Sequence, residues 1–235
     1  MIERNDYLNK LIKWKDKDII KVVTGIRRCG KSTLFSLYID YLKNNGINDN
    51  QIISINLENP IYNFNDYLDF YNYINDKIKD DKKYYIFLDE VQNIDKFEKA
   101  VDGLYIKKNV DLYITGSNAF LLSGELATYL SGRYIEIKML PLSFSEYVSY
   151  LKEEPNEKLY LQYTDRSSFP FALNLEDEEE IDTYLDSLYN TILIKDISNR
   201  KKNVRYIHVK KCFQFYVFKY RFTTICKKNS GYINI

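Results

Sequence analysis

The sequence predicts an α/β fold with a mainly parallel five-stranded sheet, followed by a small helical region. Short β-branched runs alternate with segments of helical spacing, a glycine-rich turn joins the first run to the first helical segment, and the strand signal stops after Pro141. Strands that alternate with helices of this length form βαβ units with helices on both faces of the sheet. We therefore expect a core in residues 1–140, a helical lid in residues 141–202 and an atypical tail in residues 203–235.

Five compact apolar runs predict the strands, because β-branched and aromatic residues bounded by polar or glycine turns favour extended structure. They are residues 18–24, 51–57, 84–88, 110–115 and 134–137. Between them, apolar residues at helical spacing predict helices. These cover residues 34–42, 65–79 and 97–106.

After Pro141 the pattern becomes helical. Ser143 and Glu146 form a capping box, with Leu142 and Tyr147 at the flanking positions of a hydrophobic staple. A helix should therefore begin there and end near Leu151. An acidic run at residues 176–180 precedes an amphipathic stretch at 181–197, which agrees with negative charge at a helix N-terminus.

The composition excludes several classes of protein. A hydrophobic content of 45% with 29% charged residues is typical of a folded globular chain. The charged start and the lack of a long apolar stretch predict a cytoplasmic protein without a membrane span. Three cysteines without a C-x-x-C pair and a single histidine, His208, argue against disulfide frameworks, histidine-based zinc sites and catalysis by two imidazoles.

A phosphate-binding motif lies directly after the first predicted strand. Residues 25–32 fit G-x-x-x-x-G-K-[ST] and open a predicted helix. Glycines let backbone N–H groups converge on an anion, the lysine reaches the β- and γ-phosphates, and the serine binds Mg²⁺. The motif therefore predicts binding of ATP with Mg²⁺. The expected phosphate-binding residues are Gly25, Arg28, Cys29, Gly30, Lys31, Ser32 and Thr33.

Two adjacent carboxylates end the third predicted strand. Because side chains alternate along a strand, Asp89 and Glu90 point in different directions. We expect Asp89 to join Ser32 in holding Mg²⁺, with a water between the carboxylate and the metal. We expect Glu90 to polarise the water that attacks the nucleotide. On its own, an acidic pair at this position would only end a strand.

Four further positions are candidates with open alternatives. Asn118, after the fourth strand, is expected to sense the γ-phosphate, or is only a turn residue. Arg133 is a candidate arginine finger, acting in cis or from a neighbouring subunit, or forms a surface salt bridge. Arg27 and Arg28 contact phosphate or an acidic partner such as Glu58.

Together these motifs resemble the prokaryotic AAA-type ATPases, relatives of the archaeal ATPases. The resemblance rests on residues 24–32, 87–92, 115–118, 132–133 and 141–146. It covers roughly residues 1–202 and implies an AAA+ P-loop core, in which the sensor strand lies between the strands of the phosphate loop and the acidic pair. Such proteins usually continue into a helical or winged-helix region and a further C-terminal domain. Residues 167–170 depart from the glycine-rich turn that the family implies in the lid.

The tail departs from this resemblance. Residues 1–196 carry a formal charge of −9, whereas the last 39 residues carry +10 and no acidic residue. Residues 213–222 are aromatic and basic where the family implies amphipathic helix. If the residues from Phe213 onward are back-translated with AT-rich codons and the reading frame is shifted by one base, the translated sequence is similar to the continuation that the family implies. One hypothesis is a frameshift near residues 202–204, and the other is an aromatic, basic segment that stacks on nucleic acid.

The leading hypothesis is an AAA+ enzyme that hydrolyses ATP with Mg²⁺. A first alternative is a nucleotide-binding switch, or an inactive truncated remnant without useful turnover. A second is a DNA-stimulated ATPase, which the acidic core disfavours because it repels phosphate. We expect either a homo-oligomer or a protein partner. The core gives no indication of nucleic-acid binding.

Overall fold

The computed structural model of the chain describes residues 2–117, 130 and 132–192. They form two compact units, residues 1–181 and 182–235, and only residues 182–192 of the second unit are described. The predicted core and the first helices of the predicted lid lie in the first unit. The boundaries expected after residues 140 and 202 remain predictions.

A five-stranded parallel sheet organises the described part of the chain. Its strands are β1 (Ile20–Gly25), β2 (Ile52–Asn56), β3 (Tyr84–Asp89), β4 (Val110–Ser117) and β5 (Tyr134–Met139). Their order across the sheet is β2-β3-β4-β1-β5, and the four strand pairs are parallel. The fold class predicted from the sequence is therefore confirmed, and β4 lies between β1 and β3 as the resemblance implies.

Seven α-helices accompany the sheet in the described residues. They are α1 (Asn5–Trp14), α2 (Lys31–Asn44), α3 (Tyr67–Asn75), α4 (Phe97–Tyr105), α5 (Phe144–Leu151), α6 (Glu157–Asp165) and α7 (Glu178–Thr191). Single helical turns at Asp49–Gln51 and Val91–Asn93, and a longer one at Pro170–Asn174, complete the set.

The sheet buries a different apolar cluster on each face. On β3, Ile86 and Leu88 belong to the cluster that includes residues of α3 and α4, whereas Tyr85 and Phe87 belong to the cluster that includes residues of α1 and α2. This alternation follows from the two-residue period of a strand. A three-layer arrangement results, in which helices cover both faces of a sheet whose carboxyl edge remains available for a site.

Some local features differ from the sequence predictions. The fourth strand was expected to end before Gly116, but β4 continues to Ser117 because Gly116 and Ser117 pair with Thr24 and Gly25 of β1. Helix α1 was not predicted from the sequence. Its buried Leu11 packs in the same cluster as residues of α2 and β5, so contacts distant in sequence stabilise it.

The capping box after Pro141 forms as predicted. The Ser143 side chain accepts a hydrogen bond from the backbone N–H of Glu146, and the Glu146 side chain accepts one from the backbone N–H of Ser143. These bonds satisfy amide groups that lack partners within the helix. Helix α5 therefore begins and ends at the expected residues. No helix in the described ranges is both long enough and apolar enough to cross a membrane.

Candidate functional site

The phosphate loop connects the end of β1 to the start of α2, at the carboxyl edge of the sheet. Its two glycines are required for different reasons. A Cβ on Gly25 would lie 2.5 Å from the backbone oxygen of Met139 and 2.7 Å from Cys29 Sγ, so no side chain fits. Gly30 has a φ of 101°, a left-handed conformation that glycine adopts without strain. Arg28 also has a positive φ, of 65°.

Lys31 folds back over this loop. Its side chain is 4% exposed. Its Nζ donates to the backbone oxygen of Gly25 at 3.2 Å and lies 3.6 Å from Glu90 Oε1. The ammonium group is therefore held between the turn of the loop and the acidic pair, the position from which a lysine can neutralise a bound phosphate.

The start of α2 adds positive potential to the same place. The first hydrogen bond of the helix joins the N–H of Leu34 to the backbone oxygen of Gly30. The N–H groups that precede it have no acceptor within the helix, as at every helix N-terminus. Ser32, in this first turn, is exposed, and Thr33 is half-buried. Amide groups and a dipole in this arrangement favour an anion.

The other side chains of the loop have distinct surroundings. Arg27 Nη1 lies 3.2 Å from Glu58 Oε1, so this arginine has the acidic partner considered from the sequence. Arg28 is exposed. Cys29 is fully buried, and burial raises the pKa of its thiol. The Cys29 thiol is therefore neutral at ordinary pH and unsuited to act as a nucleophile.

Asp89 ends β3 beside the neighbouring strand β4. Its carboxylate is almost completely buried, and Thr115 Oγ1 of β4 donates a hydrogen bond to its Oδ1. The backbone oxygen of Asp89 accepts from the N–H of Leu57, at 3.0 Å. The carboxylate is thus fixed in orientation by a fully buried hydroxyl, which the sequence analysis did not single out.

Glu90 follows in a left-handed conformation, with a φ of 56°. Its backbone N–H donates to Thr115 Oγ1 at 3.0 Å, so one hydroxyl binds both members of the acidic pair. Its Oε2 accepts a hydrogen bond from Gln92 Nε2, and its Oε1 faces Lys31. The structure therefore brings Glu90 and Lys31 together at the phosphate loop. Because the side chains of Thr115 and Gln92 meet the acidic pair only in the folded chain, spacing in the sequence did not reveal them.

Arg133 lies elsewhere. It precedes β5, and its backbone oxygen accepts from the N–H of Ile20 at the start of β1. The six residues of β5 span about 20 Å, so Arg133 lies at the opposite edge of the sheet from the phosphate loop. Its guanidinium donates to Asp102 at the surface. The expectation that Arg133 acts as an arginine finger in cis is therefore wrong. Because β5 is parallel to β1, a residue that precedes β5 lies at the opposite edge of the sheet from the loop that follows β1. Action from a neighbouring subunit stays a prediction.

Asn118 lies outside the described residues, so its predicted role stays a prediction. Ser117, the residue before it, pairs with Gly25 in the sheet.

Arg4 is a component of the loop's surroundings that sequence reasoning missed. Its side chain is 3% exposed, and its Nη1 donates to the backbone oxygen of Cys29 at 2.9 Å. Nη2 donates to the backbone oxygen of Leu140 and Nε to Glu146 Oε1, each at 2.7 Å. One guanidinium thus joins the phosphate loop, the end of β5 and the capping box of α5. Only its position seven residues before Leu11, in a short amphipathic segment, could have drawn attention to it.

The residues at this edge suit Mg²⁺ bound together with phosphate. Ser32 offers a hydroxyl and Asp89 a carboxylate, and hard oxygen ligands are those that Mg²⁺ prefers. Among the described residues no group of three or more His, Cys, Asp or Glu side chains could hold a metal.

Comparison with models of protein families shows which family the chain belongs to. A family model described as "AAA domain" (AAA_14) matches residues 17–148, which include β1 to β5 and the phosphate loop. The chain belongs to this AAA domain family. The family resemblance predicted from the sequence is thus confirmed, and the chain has the P-loop nucleotide-binding fold of an AAA-domain ATPase family.

Two curated relatives are similar in sequence to most of this AAA domain chain. An uncharacterized protein of Haemophilus influenzae is 42% identical over 206 residues, which are 85% of this chain and 51% of the relative. An uncharacterized protein of Methanocaldococcus jannaschii is 31% identical over 211 residues, 81% of this chain and 45% of the relative. The chain therefore spans about half the length of the curated relatives that it matches.

Two solved structures show the same fold at low sequence identity. The Walker-type ATPase PABY2304 of Pyrococcus abyssi is 14% identical with a TM-score of 0.51, covering 86% of this chain and 76% of the other. The ORC1 protein of Aeropyrum pernix, solved in complex with DNA, is 12% identical with a TM-score of 0.51, covering 82% and 67%. At these identities the likeness concerns the fold alone.

Proposed function

We propose that this AAA domain binds ATP with Mg²⁺ and hydrolyses it to ADP and phosphate. The observation that supports it best is the meeting of Lys31 and Glu90, 3.6 Å apart, beside the phosphate loop. A cation for the phosphates and a carboxylate for the water are the two groups that hydrolysis needs, and they lie within reach of one phosphoryl group.

The loop residues bind the nucleotide in this proposal. The N–H groups at the start of α2 and the ammonium of Lys31 hold the β- and γ-phosphates, with Gly25 and Gly30 providing the close approach of the backbone. Ser32 and Asp89 would hold Mg²⁺, which when bound neutralises charge on the β- and γ-phosphate oxygens. Thr115 keeps the Asp89 carboxylate turned in a fixed direction.

Glu90 orients the attacking water. The water oxygen forms a bond to the γ-phosphorus while the bond from that phosphorus to the β–γ bridging oxygen breaks, and ADP leaves with the electron pair. The water proton passes to the Glu90 carboxylate and then to the phosphate product. Asn118 contacts the γ-phosphate, and Arg133 of a neighbouring subunit supplies an additional positive charge. The pairing of Ser117 with Gly25 supports the assignment of Asn118, the next residue.

Substitution of Lys31 tests binding. Lys31→Ala should weaken ATP·Mg²⁺ binding by roughly 100-fold or more, because a buried charge that faces phosphate is removed. Lys43→Ala is the matched control, since Lys43 lies at the other end of α2 and pairs with Asp49 at the surface. Titration calorimetry measures both. Equal affinity in wild type and Lys31→Ala would contradict the assignment of the phosphate site.

Substitution of Glu90 tests hydrolysis separately. Glu90→Gln keeps the size of the side chain and removes the general base, so ATP should bind with unchanged affinity while phosphate release falls by about 100-fold or more. Phosphate release from purified wild-type chain sets the reference. Wild-type chain that binds ATP·Mg²⁺ and releases no phosphate would make the chain a nucleotide-binding switch instead.

A further inference from the structure

Gln92 has an unexplained position beside the acidic pair. The left-handed conformation of Glu90 reverses the chain, and the helical turn Val91–Asn93 follows at once. As a result Gln92 Nε2 donates a hydrogen bond to Glu90 Oε2. None of the contacts described above for the phosphate loop or the expected metal ligands involves this amide.

The other end of the same amide lacks a partner. Gln92 Oε1 is buried and has no hydrogen-bond partner among the residues that the structure describes. An ionised carboxylate only accepts hydrogen bonds, so the amide nitrogen must face Glu90 and the amide oxygen must point away from it. A buried acceptor without a donor destabilises the fold, and in a native protein it calls for an explanation.

We propose that Gln92 is a catalytic residue of the hydrolysis proposed above, on which this inference rests. Its Nε2 holds Glu90 in place, and its Oε1 accepts a hydrogen bond from the attacking water. The orphan oxygen is thus satisfied when the water is bound.

The chemistry of the water favours two acceptors. A water that attacks phosphorus directs a lone pair at the γ-phosphate and has two hydrogens to place. The Glu90 carboxylate accepts one, and Gln92 Oε1 accepts the other. With both hydrogens fixed, the lone pair keeps its direction, and less rotational freedom is lost on reaching the transition state. A glutamine orients the attacking water in other P-loop enzymes.

Two substitutions of Gln92 test the proposal. Gln92→Ala removes both the donor to Glu90 and the acceptor for water, whereas Gln92→Glu keeps an acceptor and replaces the donor with a second carboxylate. We expect either change to lower kcat by about 10- to 100-fold while KM and the affinity for ATP·Mg²⁺ stay within about twofold. Asn93→Ala is the matched control, because Asn93 lies on the same turn and its Nδ2 donates to the backbone oxygen of Leu57.

Steady-state phosphate release and titration calorimetry on the purified full chain give kcat, KM and affinity. A selective loss of kcat in Gln92→Ala, with Asn93→Ala close to wild type, supports the proposal. Wild-type kcat in Gln92→Ala overturns it, as does a loss of affinity equal to the loss of kcat, because that is expected of a residue that only shapes the phosphate site. Wild-type chain without turnover would instead refute the proposed hydrolysis, and the function of Gln92 with it.

Discussion

At the scale of single residues, the site depends on one buried hydroxyl. Thr115 Oγ1 accepts from the N–H of Glu90 and donates to Asp89. A left-handed non-glycine residue such as Glu90 costs of order 1–3 kcal/mol, and persists only where its surroundings hold it. The Thr115 hydroxyl is a contact that holds it.

Replacing Thr115 by Val should therefore destabilise the fold. Valine has nearly the same shape but no hydroxyl, so the buried N–H of Glu90 loses its acceptor and the Asp89 carboxylate its donor. We expect the free energy of unfolding, measured by urea titration, to fall by about 1–3 kcal/mol. Thr115→Ser keeps the hydroxyl and should recover most of the loss. Equal stability of Thr115→Val and wild type would show that the hydroxyl holds neither group.

The acidic pair and the phosphate loop could be predicted from the sequence because their chemistry is local. A glycine-rich turn between strand and helix, and a carboxylate at a strand end, are recognisable without a fold. Thr115, Gln92 and Arg4 could not be assigned in the same way, because their partners depend on the strand order and on the turn after Glu90. The position of Arg133 could have been predicted from the strand order. In a parallel sheet, a residue before β5 lies at the opposite edge from the loop that follows β1.

At the scale of elements, Arg4 joins parts of the chain that are distant in sequence. It contacts the phosphate loop at Cys29, the end of β5 at Leu140 and the start of α5 at Glu146. A peptide group is planar, so a hydrogen bond that fixes the carbonyl of Cys29 also fixes the direction of the N–H of Gly30. The guanidinium therefore contributes to the shape of the loop without lying in it.

Substitution of Arg4 by Met should affect both stability and binding. Removal of one partner from a buried ion pair typically costs about 3–5 kcal/mol, and Glu146 is partly exposed, so we expect a loss near the lower end of that range. ATP affinity should also fall in the molecules that remain folded. Arg166→Ala is a suitable control, because Arg166 donates to the backbone oxygen of Glu176 at an exposed position. Urea unfolding and calorimetry measure the two effects, and unchanged values in Arg4→Met would contradict this role.

The elements themselves were largely predictable from periodicity. The strands and α2 to α5 appear near the expected residues, because their apolar residues follow the period of the structure that they form. Helix α1 was missed although Tyr7, Leu8, Leu11 and Ile12 follow the same helical period. Its stability comes from packing against residues of α2 and β5, which local sequence does not report.

At the scale of the whole molecule, a network of buried phenols sets the response to alkaline pH. Tyr113 donates to Asp111 and Tyr85 to Asp16, each at 2.8 Å, and the hydroxyl of Tyr38 lies 3.0 Å from that of Tyr113. Burial raises the pKa of Tyr85 to about 12, and raises the pKa values of Tyr38 and Tyr113 well above their usual value.

Stability should therefore fall as the pH rises above about 10. In the unfolded chain these phenols lose their protons near pH 10, whereas in the folded chain they retain them, so rising pH favours unfolding by up to about 1.4 kcal/mol per pH unit for each tyrosine. Burial lowers the pKa of Lys21, which has the opposite effect and acts below pH 10.5. Urea unfolding between pH 9 and 11.5 measures the slope.

Single tyrosine variants check the source of this slope. Above pH 10.5, Tyr85→Phe should reduce the slope of the free energy of unfolding against pH by up to the equivalent of one proton. The reason is that one phenol with a raised pKa is removed. Tyr160→Phe is the matched control, since the Tyr160 side chain is half exposed at the surface. A slope that is the same in Tyr85→Phe as in wild type would place the alkaline sensitivity elsewhere.

The contacts of Arg4 also constrain the order in which the chain can assemble during synthesis. Residues 4, 29, 140 and 146 must all be available before this guanidinium has its full set of partners. A ribosome that releases the chain from its N-terminus exposes the arginine first and Glu146 more than 140 residues later. Arg4 therefore has its full set of partners only when α5 has emerged.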